Sequence, residues 1–243
     1  MIIVFSDRKI SNDISMKFDD ILFYPPIEQG QLMDIVDKKK PTVVIIVDCA
    51  FDGAMPAWHK EIIYTIQNGV NVYGVGGLGV ARAIELSSFG MKGYGQVFDE
   101  YNHGLVEGDD ELLYRCNCID IMPLINTRLT LKDLVLSGGI SKSNYTSIIK
   151  KIKNLFYKER TWNNIEKCLQ EIYQINNASS IYELIQSNYC DYQLKDLNNL
   201  LLNLSVELPA KPNLDFSGFK VNGELFANRE KKVSSNNYSI AQN

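Results

Sequence analysis

Histidine is scarce in this chain: His59 and His103 are the only two among 243 residues. Cysteine is scarce too, and the five present are odd in number and scattered. That pattern suits a reducing compartment better than a disulfide framework. Cys116-Asn117-Cys118 has no second ligand pair, so no zinc site is expected. There is no excess of positive charge. The net charge of −4 argues against nonspecific nucleic-acid binding, which calls for a basic face. No apolar run approaches the length of a membrane span, so no membrane partner is expected. The apolar start Met1-Ile2-Ile3-Val4-Phe5 is too short for a signal sequence and has no basic residues before it. The expected location is therefore cytoplasmic. No internal repeat is found.

Short apolar runs alternate with helical patterns through the first half. Ile2 to Phe5, Ile21 to Tyr24, Thr42 to Val47 and Val70 to Val75 read as strands, the third buried on both faces. A helix is expected from about Gln31 to Asp37. Another follows Pro56, taken as its first residue, with Trp58, His59, Ile62, Ile63 and Ile66 on one side. Asn68-Gly69 closes it, and Gly79 opens the next. This alternation argues for βαβ units: a Rossmann-like open parallel sheet of about four strands flanked by helices. Phe89 to Gly95 reads as irregular, and Asp109-Asp110-Glu111 as a helix start. From Thr130, expected as a helix cap, the pattern is helical: one helix to Gly138-Gly139, an amphipathic stripe from Tyr145 to Phe156, then helices near Trp162–Tyr173, Ser179–Ser187 and Leu194–Leu204. The expected organisation is an α/β domain over 1–125, a helical region over 126–205, and an extended, partly disordered tail over 206–243.

The candidate chemistry crowds between Val43 and Glu111. In an open α/β sheet, ligands sit outside the carboxyl ends of the strands. Asp48 ends a buried strand, where a carboxylate is costly unless paired. It either caps a loop or orients His59 or a bound group. Cys49 follows it as a candidate nucleophile, against the default of a small buried thiol. His59, in the first turn of its helix, is either a ligand-facing imidazole or a satisfied core histidine. Lys60 points away from the apolar stripe. Arg82 and Glu85 are three apart on a helix and can pair as a surface salt bridge. Gly76, Gly77 and Gly79 belong to Gly74-Val75-Gly76-Gly77-Leu78-Gly79, which formally matches a dinucleotide fingerprint with Asp99 as its acidic residue. The competing readings are a tight turn and an oxyanion site made of helix N–H groups.

Several strings resemble the TfuA-like protein family: Pro56-Ala57-Trp58-His59-Lys60-Glu61-Ile62, Phe89-Gly90-Met91-Lys92-Gly93-Tyr94-Gly95, Gly104 with Asp109-Asp110-Glu111, Asn126-Thr127-Arg128, and Leu155-Phe156-Tyr157-Lys158-Glu159-Arg160-Thr161-Trp162. Tyr24-Pro25-Pro26 with Gln29-Gly30 fits the opening segment. The resemblance implies a partner of a YcaO enzyme in peptide-backbone thioamidation, with ATP used by YcaO and no cofactor in this chain. It implies sulfur supplied by hydrolysis of a thiocarboxylated ThiS-type carrier protein and help in holding the peptide substrate; a homodimer stays open as the assembly. Carried across by match, the positions are Asp48, His59, Lys60, Glu61, Arg82, Glu85, Asp110 and Glu111.

The sequence departs from the family at three places. Gly77 stands where the family has serine on the strand-to-helix turn, Cys49 where it has glycine, and Ser6-Asp7-Arg8 where it has a glycine-proline turn. Glycine cannot be a nucleophile. Three routes stay open: Cys49 as nucleophile activated by His59, water activated by His59 or a carboxylate, or a noncatalytic module that binds YcaO, the carrier or the peptide. A nucleotide-binding role is the remote alternative.

Overall fold

A computed structural model describes residues 1–10, 12–48, 55–113, 121–173 and 175–212. Its centre is a parallel sheet made of β1 (Ile2–Phe5), β2 (Ile21–Tyr24), β3 (Val43–Ile46), β4 (Asn71–Val75) and β5 (Lys92–Tyr94). The strand order is β2-β1-β3-β4-β5, and every neighbouring pair is parallel. Among the described residues the sheet has five strands, against the expectation of about four. The extra strand lies in the stretch expected to be irregular. Lys92-Gly93-Tyr94 has no apolar run, and the edge position beside β4 makes it a strand.

Apolar β-branched residues fill the central strands because both faces are covered. Ile3, Phe5, Val44, Ile46 and Val72 face one layer. That layer is built by α2 (Gln31–Lys39), α3 (His59–Gln67) and α4 (Leu78–Glu85), preceded in the chain by the short α1 (Asn12–Ser15). Ile62, Ile63 and Ile66 bury the inner side of α3. The helix starts at His59, not at Pro56, which instead bridges to Glu28. Trp58 and His59 are thus at the helix's open end and are exposed, off the buried stripe.

After α5 (Gln96–Asn102) and a single 3-10 turn at Asp109–Glu111, the chain forms a helical lobe. It contains α6 (Leu124–Leu136), α7 (Lys142–Lys153), α8 (Trp162–Ile172) and α9 (Ile175–Asn188) around a second core that includes Leu131, Ile148, Ile152 and Leu169. Thr130 is a buried residue inside α6 rather than its cap. The last helix, α10 (Tyr192–Val206), leaves the lobe and returns to the sheet. Its Leu197, Leu200, Leu201 and Leu204 cover Ile2, Val4, Val43, Ile45 and Val47. The helical region is therefore not self-contained: its final element is the second layer of the α/β unit. The polar end expected to be disordered, Lys231 to Asn243, lies outside the described residues.

Candidate active site

The order β2-β1-β3-β4-β5 reverses direction between β1 and β3, which is the switch point where ligands bind in this class of sheet. The residues leaving those two strands are Ser6, Arg8 and Asp48. Asp48 is buried, with its carboxylate taking the Ser6 hydroxyl at 3.3 Å and facing Arg8 Nε at 4.0 Å. Burial pushes its pKa up, against the opposing pull of Arg8 and Ser6. Arg8 reaches further, donating to Asp191 and to Gln193 at the start of α10. Gln193 in turn donates to the carbonyls of Gly76, at 3.0 Å, and Leu112, at 2.8 Å. Sequence reasoning did not find Asp191 and Gln193. No local pattern pairs residues more than 180 positions apart. The only available signal was a polar Ser6-Asp7-Arg8 following a buried strand.

The glycine turn is shaped by close backbone approach. A Cβ at Gly77 would lie 2.4 Å from Asp48 Oδ1 and 2.7 Å from the Val47 carbonyl; one at Gly79 would lie 1.8 Å from the Ile46 carbonyl. Any side chain there would force backbone apart. The Gly77 N–H donates to Val75 and the Gly79 N–H to Val47, both at 2.9 Å. These two amides are engaged inside the fold. The dinucleotide reading required an acid at the end of the next strand. Here β5 ends at Tyr94 and Asp99 lies inside α5, so that requirement is not met.

His59, Arg82 and Glu85 do come together, from α3 and α4. His59 Nε2 lies 2.7 Å from Glu85 Oε2 and 3.0 Å from Arg82 Nη1, and Arg82 Nη1 donates to the same Glu85 oxygen at 2.7 Å. The imidazole side chain is 47% exposed, so water reaches it. Partial burial opposes charge on Glu85, but the hydrogen bonds from His59 and Arg82 outweigh it and hold its pKa below the ordinary value. An ionised carboxylate only accepts. Nε2 of His59 thus faces an acceptor, Glu85, and a donor, Arg82, and which ring nitrogen carries the proton depends on which of the two it bonds. The Arg82–Glu85 pair was legible from its spacing of three. The arrival of His59 from another helix was not.

The remaining candidates divide. Lys60 is exposed at the start of α3. Glu61 is 1% exposed and its carboxylate accepts the N–H groups of Trp58, at 3.2 Å, and Gly30, at 2.9 Å. That ties the entry of α3 to the loop before α2. Glu111 is fully buried and takes Arg128 through two hydrogen bonds, 2.5 and 3.1 Å long, with Lys153 at 3.7 Å. Asp110 pairs with the buried Arg160. Asp110 and Glu111 thus join the 3-10 turn at Asp109–Glu111 to the helical lobe. Cys49, Cys116 and Cys118 lie outside the described residues. Among the described residues, no group of three or more His, Cys, Asp or Glu side chains is assembled to hold a metal, and no helix is long and apolar enough to cross a membrane.

The model of the TfuA-like protein family matches residues 48–161, a segment that runs from Asp48 through His59, Arg82 and Glu85 to the start of α8. No curated protein matches the chain.

Proposed function

Because the chain belongs over residues 48–161 to the TfuA-like protein family, we propose that it works beside a YcaO enzyme in peptide-backbone thioamidation, releasing sulfide from a thiocarboxylated ThiS-type carrier. The observation that carries this reading is the solvent-reachable His59, ordered by Glu85 and Arg82 within the matched segment. Water is the nucleophile in this proposal. In this proposal His59 donates its Nε2–H to Glu85, and its Nδ1 takes one proton as the water oxygen bonds to the thiocarboxyl carbon. The tetrahedral intermediate then breaks its carbon–sulfur bond, and the proton held by His59 passes to the leaving sulfur. The sum is thiocarboxylate plus water giving carboxylate plus hydrogen sulfide. Arg82 supplies positive charge toward the anionic intermediate, and Glu85 fixes the ring. ATP chemistry belongs to the YcaO partner.

A second reading has its own support. Gly77 offers no nucleophile, and its surroundings leave no room for one. A chain with that turn suits a noncatalytic module that recruits YcaO, the carrier or the peptide. One experiment separates the two. The purified protein is incubated with thiocarboxylated carrier, without YcaO, and the carrier mass is followed. Conversion to the carboxylate, lost about 10²-fold or more in His59→Ala, supports the hydrolase. An unchanged mass with tight YcaO binding supports the recruiter. An unchanged mass with no YcaO binding removes both.

A further inference from the structure

The geometry points to a second binding site, at the switch point itself, for a carboxylate that carries a hydrogen-bond donor on a neighbouring atom. Arg8 is the centre of this site. Its side chain is 1% exposed, yet its guanidinium is directed at a carboxylate brought from the far end of the chain, that of Asp191. Asp191 is the N-cap of α10: its Oδ1 accepts the Leu194 N–H and the Asn126 amide, each at 3.1 Å, while Oδ2 takes Arg8. One third of the Asp191 side chain is exposed, whereas Arg8, Asn126 and Gln193 are buried. Asp191 is thus the member of this network through which solvent and solutes gain access.

A separate observation indicates that the site is built for more than this contact. Asn126 is 1% exposed; its side chain bonds Asp191 through Nδ2 and meets Tyr189, while its Oδ1 has no hydrogen-bond partner among the described residues. A buried acceptor left unsatisfied costs about 1–3 kcal/mol, and such groups in folded proteins call for a reason. An N–H or O–H donor beside a carboxylate would satisfy it. In this arrangement the Asp191 carboxylate occupies the place of the ligand's own: an incoming carboxylate takes Arg8 Nη1 while Nη2 stays on Gln193, and its adjacent donor reaches Asn126 Oδ1. The C-terminus of a peptide has this chemistry, and so does a small 2-hydroxy acid. The site is independent of His59 and of any hydrolysis.

The test uses the full chain and calorimetric titration with N-acetylglycylglycine, its C-terminal amide and lactate. Asp191→Ser removes the competing carboxylate while keeping a helix cap. It should bind N-acetylglycylglycine at least tenfold tighter than the unaltered protein and should ignore the amide. Lactate binding as tightly as the peptide would identify a small hydroxy acid as the source, and weaker lactate binding a peptide end. Adding Arg8→Lys to Asp191→Ser should abolish the gain. Equal binding by the unaltered protein and Asp191→Ser, or equal binding of carboxylate and amide, would overturn the site. If Asp191→Ser does not give a cooperative melt, Asp191→Asn, which keeps both cap and shape, is titrated instead. If the Arg8 variant does not fold, the comparison of carboxylate with amide decides.

Discussion

At the scale of the residue, the proposed mechanism has Glu85 hold the Nε2 proton of His59, with Arg82 Nη1 facing the same nitrogen. Glu85→Gln keeps the shape but removes the fixed charge, and an amide can donate as well as accept, so the Nε2 proton is no longer specified. The expected outcome is a fall in kcat for sulfide release of about tenfold or more with little change in KM, because Glu85 acts through His59. In the unaltered protein the Glu85 pKa lies below its ordinary value. Its charge, and the ordering it gives, is therefore complete at neutral pH and is lost only as pH falls through that lowered value. A pH–rate profile should accordingly show a different acid limb in Glu85→Gln. Gly77 provides a stability prediction of the same scale. Gly77→Ser places a Cβ 2.4 Å from Asp48 Oδ1. It should lower unfolding free energy by about 1–3 kcal/mol in denaturant melts, and should not raise sulfide release. A serine residue at this turn needs Asp48 and Val47 further away than they are here.

At the scale of the element, α5 and α10 are joined by one carboxylate. Asp196 on α10 accepts the Val97 N–H at 2.8 Å, so it caps the start of α5 from outside that helix. Burial raises its pKa to about 6, with Asp99 adding to the rise and the amides of Val97 and Gln96 opposing it. The folded state thus holds this proton more tightly than the unfolded chain, whose value is near 3.8. The stabilisation from that proton is complete below about pH 4 and is lost as pH rises through about 6. Asp196→Asn does not titrate. Its stability relative to the unaltered protein should rise between pH 4 and pH 7 by an amount of order 2–3 kcal/mol, read from denaturant midpoints at several pH values. A flat difference would mean that Asp196 is not perturbed. The elements themselves differed in legibility. The β-branched run Val43 to Val47 announces a buried strand by composition alone. β5 does not, because Lys92-Gly93-Tyr94 becomes a strand only through pairing with Tyr73, Gly74 and Val75. The start of α3 was misplaced because proline suits a first helical turn, whereas here Pro56 is used in a bridge to Glu28 and the Glu61 carboxylate defines the helix end. With the helix starting at His59, that side chain faces solvent rather than the buried stripe and meets Glu85 and Arg82 there.

At the scale of the molecule, the decisive fact is that the chain closes on itself. A division at residue 125 follows from local pattern, since strands give way to helices there, and nothing in the composition of α10 marks it as a partner of the sheet. Yet without α10 the face made by Ile2, Val4, Val43, Ile45 and Val47 would lie largely open. Each such side chain contributes about 1.5–3 kcal/mol when buried, a large share of the 5–15 kcal/mol that stabilises a typical domain. A chain ending at residue 161, the limit of the family match, keeps His59, Arg82 and Glu85 but loses that cover, the Gln193 bonds over the glycine turn and the Asp191 partner of Arg8. It should therefore fail to melt cooperatively, bind an apolar dye and associate on size exclusion. Within the full chain, Leu200→Ala and Leu201→Ala should each cost about 2–5 kcal/mol, and both should weaken the sheet rather than the helical lobe, as hydrogen exchange of β1 and β3 amides against α7 and α8 amides would report. A soluble, cooperatively folding 1–161 chain would show that the matched segment is a domain in its own right and that α10 is an addition to it. The predicted collapse would instead make the C-terminal helix a structural part of the site's support, so that changes far from His59 in sequence act on it through the sheet.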